Sequence, residues 1–206
     1  MSKLLVLICL IFVGDLVFAE TIFYLHGCII EEEGPQPVHK RFGLYDYPAI
    51  VEALGADGAT VISEIRDSGT KAHEYAQHIV DQVEDLIASG NAPGGITVVG
   101  FSKGGSIAIY TSWLLDHADV NFVFIAACAD WLSSIPELNV SGNIFSIYEK
   151  SDTLAGSCAS LASRNKDLSS FTELALSTGK EHGTFYLPGE EWVEPLLAWI
   201  EVGEND

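Results

Sequence analysis

The sequence predicts an α/β fold in which a doubly wound, mostly parallel sheet of six strands carries helices on both faces. Two observations support this prediction. Short apolar, β-branched runs alternate with helical patterns along the chain, and this alternation places crossover helices between parallel strands. The run at 96–99 shows no apolar–polar alternation, as expected for a strand that is buried on both faces of its sheet.

The predicted elements follow one another without a repeat, a low-complexity tract or a long linker. Apolar, β-branched composition predicts strands at 21–25, 59–64, 96–99, 121–127, 143–148 and 171–176. Helical periodicity and flanking glycines predict helices at 48–54, 71–89, 105–117, 156–164 and 190–202. The acidic run at 31–33 follows the first strand and is predicted to be a solvated loop.

The N-terminus has the pattern of a signal peptide. Lys3 precedes a short apolar stretch, and Ala19 offers a small residue at a cleavage point. The apolar stretch is short for a membrane span, and Asp15 interrupts it. We therefore expect residues 1–19 to be removed and residues 20–206 to form a single secreted or periplasmic domain with no stable membrane span. An uncleaved anchor is the alternative.

The formal net charge of −19 limits the classes of partner. Binding of nucleic acid needs a cationic surface, so we expect no nucleic-acid partner. An anionic membrane surface is disfavoured for the same reason. The charge is compatible with uncharged or cationic substrates.

Three cysteines remain after the predicted cleavage, so at most one internal disulfide can form. Cys128 ends one predicted strand and Cys158 follows the next, so the two could lie close enough to form a disulfide. The sequence leaves open whether they pair or stay as free thiols. Cys28 is predicted to be a free thiol that packs as a small apolar group. The sequence has no CxxC motif or Cys/His cluster, and we expect no metal.

The most informative stretch is Gly100-Phe101-Ser102-Lys103-Gly104, between a predicted strand and a predicted helix. In this context a Gly-x-Ser-x-Gly turn exposes the serine hydroxyl at the carboxyl edge of a sheet. Gly100 and Gly104 lack a Cβ atom, so the turn can be tight. An ordinary Gly–Ser turn is the alternative interpretation.

A serine hydroxyl needs a base to take its proton and an anion to orient that base. Asp152 follows a predicted strand, and His182 lies between the last strand and the last helix. The order Ser102, Asp152, His182 is the one expected for this turn. Asp130 also follows a strand and is the rival acid. Together with His26, these side chains should gather at one edge of the sheet.

With these motifs the chain resembles a small member of the α/β-hydrolase superfamily. The resemblance rests on His26-Gly27-Cys28 after the first strand, on the Gly-x-Ser-x-Gly turn, on Ser151-Asp152 and on His182-Gly183, and it covers residues 20–202. We expect the two strands that usually precede the first one in that superfamily to be absent, and we expect no helical cap, because there is no long insertion between 127 and 143. The chain is thus similar to compact lipases, carboxylesterases and acyl-thioesterases with an open site.

The resemblance implies a minimal α/β-hydrolase fold with Ser102 as nucleophile, Asp152 as acid and His182 as base. It also implies that the backbone N–H groups of Cys28 and Lys103 form the oxyanion hole. We expect an exported serine esterase that cleaves a small-molecule or lipid-like acyl ester through an acyl-enzyme, without a cofactor. The alternatives are a thioesterase, amidase or acyltransferase on the same triad, and a non-catalytic binding protein with this fold.

Two further side chains and a set of loop aromatics have a predicted environment. His26 is expected to bond to backbone rather than to transfer protons. The Lys103 side chain should point to solvent or to a nearby carboxylate. The aromatic loop residues could line an acyl site or could equally pack the loops; they are Phe42, Tyr45, Tyr47 and Trp131.

Overall fold

The computed structural model describes residues 20–165 and 168–203. The strands are β1 (Thr21–Leu25), β2 (Val38–His39), β3 (Gly43–Leu44), β4 (Thr60–Ile62), β5 (Ile96–Phe101), β6 (Asn121–Ile125), β7 (Asn143–Glu149) and β8 (Ser170–Leu176). The helices are α1 (Cys28–Glu33), α2 (Tyr47–Leu54), α3 (Ala72–Ala88), α4 (Lys103–Leu115), α5 (Ala159–Ala162) and α6 (Glu190–Gly203). The predicted signal peptide lies outside the described residues.

Six strands form one parallel sheet in the order β4-β1-β5-β6-β7-β8. The chain moves from β1 outward to β4, then returns to β5 on the other side of β1 and continues in that direction. The strand order therefore reverses between β1 and β5. A doubly wound sheet opens a crevice at the carboxyl ends of the strands where this reversal occurs.

Helices cover both faces of the sheet, and this confirms the predicted fold class. Successive side chains of β1 alternate between the faces, because the side-chain period of a strand is two. Ile22 and Tyr24 belong to an apolar cluster with α1, α2 and α6. Phe23 and Leu25 belong to a second cluster with α3, α4 and α5. No helix in the described part of the chain is long and apolar enough to cross a bilayer.

The predicted loop at 31–33 is wrong, because α1 occupies Cys28–Glu33. The acidic run is too polar to show a helical pattern. The helix is held to the core by Ile30, which belongs to it and is fully buried. Glu32 and Glu33 are exposed, whereas the side chain of Glu31 is only 2% exposed. Glu32 and Glu33 of the acidic run are therefore solvated, and Glu31 points inward.

The helix predicted at 156–164 contracts to the single turn of α5. The N–H group of Gly156 donates to the carbonyl of Cys128 at 2.8 Å in an isolated antiparallel bridge. Cys158 is joined to Cys128 by a disulfide, with their Cα atoms 5.3 Å apart. These two links keep the chain out of a helix until Ala159.

The disulfide resolves the alternative that the sequence left open. Cys128 and Cys158 are 30 residues apart, and the loop they close carries Asp152. In the chain-entropy view, a loop of this length stabilises the folded state by about 3–4 kcal/mol. The disulfide therefore holds the segment with the candidate acid against the end of β6.

Candidate active site

Ser102 occupies the sharp turn between β5 and α4. Its backbone has φ 56° and ψ −116°, a region that residues other than glycine rarely adopt. The Ser102 N–H donates to the carbonyl of Ile125 at 2.9 Å, and its own carbonyl accepts from the N–H of Ser106 at 3.0 Å. These bonds hold the strained residue at the carboxyl end of β5, where its side chain lines a cleft.

Two glycines allow this turn to pack closely. A Cβ atom on Gly100 would lie 2.2 Å from the carbonyl oxygen of Gly104, and one on Gly104 would lie 1.8 Å from the carbonyl oxygen of Leu25. Neither distance is sterically possible, so no other residue fits at these positions without movement of the backbone. The glycines of the motif bring the start of α4 directly against β1.

The structure brings Asp152 and His182 into contact. Asp152 follows β7, and His182 lies in a 3-10 turn at Glu181–Phe185 between β8 and α6. His182 Nδ1 lies 2.6 Å from Asp152 Oδ2, and the two side chains are 6% and 1% exposed. Asp152 Oδ1 accepts the N–H of Leu154 at 2.8 Å. A carboxylate at Nδ1 orients the imidazole and leaves Nε2 for chemistry.

Asp130, the rival acid, is exposed. It begins a 3-10 turn at Asp130–Ser134, the one helical turn that the chain forms between β6 and β7. It lines an open depression that also includes Asp152 but contains neither Ser102 nor His182. The carboxylate that contacts the candidate base is therefore that of Asp152.

Glu149 ties the loop of the acid to the loop of the base, and the sequence reasoning missed it. Its carboxylate accepts from the N–H and hydroxyl of Ser151 at 3.2 and 3.0 Å. It also accepts from the N–H and hydroxyl of Thr178 at 2.8 and 3.0 Å. Burial acts to raise the pKa of Glu149, but these donors outweigh it and lower the pKa below its ordinary value. A glutamate at the end of a strand, two residues before a serine, is too common a pattern to reveal this.

The two predicted oxyanion donors are the first residues of helices on either side of the strand-order reversal. Cys28 begins α1 after β1, and Lys103 begins α4 after β5. N–H groups in the first turn of a helix have no acceptor within that helix, so they are available to a ligand. The thiol of Cys28 is free and exposed, so the prediction that it packs as an apolar group is wrong. At the first position of α1 its side chain faces the cleft.

The cleft has a volume of about 290 Å³ and is lined by residues of the candidate triad and by one of the predicted oxyanion donors. Ser102, His182 and Cys28 share it. Its other lining residues are Gly27, Ile29, Glu32, Glu33, His39, Phe42, Phe101, Leu154 and Tyr186. The neighbouring depression is larger, about 720 Å³, and shares Leu154 with the cleft. We assign the site to the smaller cleft because it contains the serine and the histidine.

The aromatic loop residues divide between these two surfaces and the core. Phe42 lines the cleft, and its ring lies 5.9 Å from that of His182. Trp131 lines the neighbouring depression. Tyr45 is buried, and its hydroxyl lies 2.9 Å from that of Tyr24. In the described part of the chain, no group of three or more His, Cys, Asp or Glu side chains could hold a metal ion.

His26 is fully buried and precedes Gly27, which lines the cleft. Its Nε2 accepts the backbone N–H of Arg66 at 3.1 Å, so the imidazole bonds to backbone. The Arg66 guanidinium also donates to the carbonyl of His26. Burial, and then the positive charge of Arg66, lower the pKa of His26 to about 4. His26 is therefore neutral at pH 7.

This lowered pKa predicts a pH dependence of stability. As pH falls from about 6.5 to about 4, the unfolded chain takes up a proton at His26 that the folded protein does not. The free energy of unfolding should fall by up to about 3 kcal/mol in this window and change little from this group above it. Urea unfolding at pH 7, 5.5 and 4.5 should show a shallower fall for His26→Gln than for the wild type. An equal slope in the two proteins would contradict the prediction.

No family model matches the chain, and no curated protein is similar to it in sequence. Solved structures do match. SOBER1 from Arabidopsis thaliana aligns with a TM-score of 0.59 at 14% identity, over 90% of this chain and 99% of that one. Alpha/beta hydrolase domain-containing protein 10 from mouse aligns with a TM-score of 0.58 at 13% identity, over 88% of both chains.

A lipase-esterase related protein from Clostridium acetobutylicum aligns with a TM-score of 0.53 at 11% identity, over 86% of this chain and 93% of that one. The identities are low, so these likenesses concern the fold. They agree with a six-stranded parallel sheet that carries helices on both faces. The chain has the α/β-hydrolase fold.

Proposed function

We propose that the protein is an exported serine hydrolase that cleaves acyl esters through Ser102, His182 and Asp152. The observation that carries the proposal is the 2.6 Å contact between the buried side chains of Asp152 and His182. His182 lines the same cleft as Ser102, whose backbone is strained. The structural neighbours support a hydrolase with this fold. Export is proposed from the pattern of residues 1–19.

The proposed reaction has two steps. In the first, Ser102 Oγ attacks the acyl carbonyl while His182 Nε2 takes its proton, and Asp152 stabilises the resulting imidazolium. The developing oxyanion accepts hydrogen bonds from the N–H groups of Cys28 and Lys103. His182 then protonates the leaving alcohol, and the acyl group stays on Ser102.

In the second step water attacks the acyl-enzyme, and His182 takes the proton of that water. The oxyanion forms again in the same hole. Its collapse releases the carboxylic acid and returns the proton to Ser102 Oγ. The apolar walls of the cleft, which include Ile29, Phe42 and Leu154, support a small-molecule or lipid-like acyl ester as substrate.

The test is labelling of the mature protein by a fluorophosphonate, followed by peptide mapping. We expect a stoichiometric adduct on Ser102, formed as the serine oxygen displaces fluoride from phosphorus. Replacement of His182 by alanine should abolish the adduct, because the serine loses its base. His73→Ala is the matched control, since His73 is exposed on α3, and it should label as the wild type does.

Absence of an adduct on the folded wild type would overturn the proposal and favour a binding protein with this fold. If the adduct forms, a panel of matched ester and thioester substrates should show higher kcat/KM for the ester. A higher value for the thioester would reassign the protein to the thioesterases.

A further inference from the structure

We propose that Glu31 is a positioning residue that holds the two oxyanion-hole donors in register. The inference rests on the proposed function, because it concerns the relative positions of the two N–H donors in that site. Glu31 does not line the cleft, and it lies three residues after Cys28 on the same helix. It acts through what its carboxylate holds.

The carboxylate of Glu31 is divided between two cations. Oε1 accepts from Arg66 Nε at 2.9 Å, and Oε2 accepts from Lys103 Nζ at 2.5 Å. The side chains of Glu31 and Arg66 are 2% and 1% exposed, and that of Lys103 is 24% exposed. Each carboxylate oxygen therefore has a charged donor of its own in a largely dry environment, where such hydrogen bonds are short and directional.

Each partner of Glu31 is attached to one half of the proposed oxyanion hole. Lys103 is the first residue of α4 and supplies one of the two N–H groups. Arg66 donates hydrogen bonds to His26 from both its guanidinium and its backbone N–H. His26 is joined to Cys28 through Gly27 alone. Glu31 itself belongs to α1. One carboxylate thus connects both donors across the reversal of strand order.

This cluster is better suited to positioning than to stability. The attraction within a buried ion pair is largely offset by the loss of hydration of its charges. Directional bonds between α1 and α4, by contrast, fix the separation of two helix starts. Oxyanion donors act over a narrow range of distance, so a small shift of either helix weakens catalysis.

Arg66 depends on Glu31 in particular. Its Nη1 atom is buried with no hydrogen-bond partner among the described residues, and Glu31 is the carboxylate that faces its Nε. Loss of the charge on Glu31 would leave Arg66 buried without an anion. We expect its contacts with His26 to loosen, and the loop before Cys28 with them.

The experiment compares Glu31→Gln, Lys103→Met and the double variant with the wild type on an ester substrate. Fluorophosphonate titration counts active Ser102 sites, so kcat is expressed per labelled site. We expect each single variant to lose about tenfold in kcat, about 1.4 kcal/mol of barrier, with KM within twofold. The double variant should be no worse than Glu31→Gln alone, because Lys103 acts through Glu31. Lys103→Arg should restore most of the loss.

Glu74→Gln is the matched control, since Glu74 forms the same kind of pair with Lys71 on the surface, 2.9 Å apart and largely exposed. It should retain wild-type kcat. A merely structural role of Glu31 would lower the number of titrated sites and leave kcat per site unchanged, and that result would overturn the proposal. A multiplicative loss of about 100-fold in the double variant would also overturn it.

Two further outcomes separate the causes of failure. If Glu31→Gln does not fold, the comparison of Lys103→Met with Lys103→Arg decides, because Lys103 is partly exposed. Equal kcat in these two variants would overturn the inference. If the wild type itself is not labelled at Ser102, the proposed function has failed, and the positioning role falls with it.

Discussion

Ser102→Ala should lower kcat/KM for an ester substrate by about 10⁵-fold or more, because the acyl-enzyme can no longer form. The backbone of Ser102 has a positive φ of 56°, which strains alanine as much as serine. The melting temperature should therefore change little. Steady-state hydrolysis and a thermal melt on the same preparation would measure both effects.

Ser106→Ala is the control for this prediction. Ser106 lies one turn further along α4, and its N–H donates to the carbonyl of Ser102. A backbone N–H is unaffected by the substitution, so activity should remain within about twofold of the wild type. Activity of Ser102→Ala close to that of Ser106→Ala would remove Ser102 from the mechanism.

Asp152→Asn should lower kcat by about 10⁴-fold. An amide at this position can present an N–H group to His182 Nδ1 and so favour the wrong tautomer of the imidazole. The fold should survive, because Asn keeps an oxygen that can accept the N–H of Leu154, as Asp152 Oδ1 does at 2.8 Å. Hydrolysis of the ester over a range of pH, with circular dichroism as a check of folding, measures the effect.

Asp130→Asn is the matched control, because Asp130 is the exposed carboxylate that also follows a strand. It should change kcat by less than about twofold. The opposite pattern, with a large loss in Asp130→Asn and none in Asp152→Asn, would transfer the role of the acid to Asp130.

Local patterns were sufficient to predict most of the elements. Strand β1 was predicted at its observed bounds, and the helix predicted at 71–89 is α3 at Ala72–Ala88. The strand predicted at 121–127 ends earlier, at Ile125, because Ala126 has a φ of 45°. A positive φ in a residue with a side chain depends on its tertiary surroundings, and the Ala126 N–H donates to the carbonyl of Ile147 on the neighbouring strand at 2.8 Å. No local sequence pattern predicts the positive φ of Ala126.

The candidate site divides in the same way. Ser102, Asp152 and His182 could be named from the sequence because each follows a recognisable strand or motif, and strand ends converge in a parallel sheet. Glu31 and Glu149 could not. Glu31 meets Lys103, which is 72 residues away, and Glu149 meets Thr178, which is 29 residues away.

The sequence by itself determined the order of the six strands of the main sheet, most of the helices between them, the tight turn at Ser102 and the candidate residues around it. Those features depend on apolar period, β-branching and the absence of a Cβ atom at Gly100 and Gly104, which are local properties of the chain. Only the tertiary structure decided that Cys128 pairs with Cys158 and that Glu31 turns inward between Arg66 and Lys103. Pairing and burial depend on which distant groups share a dry space, and the packing of the sheet creates that space.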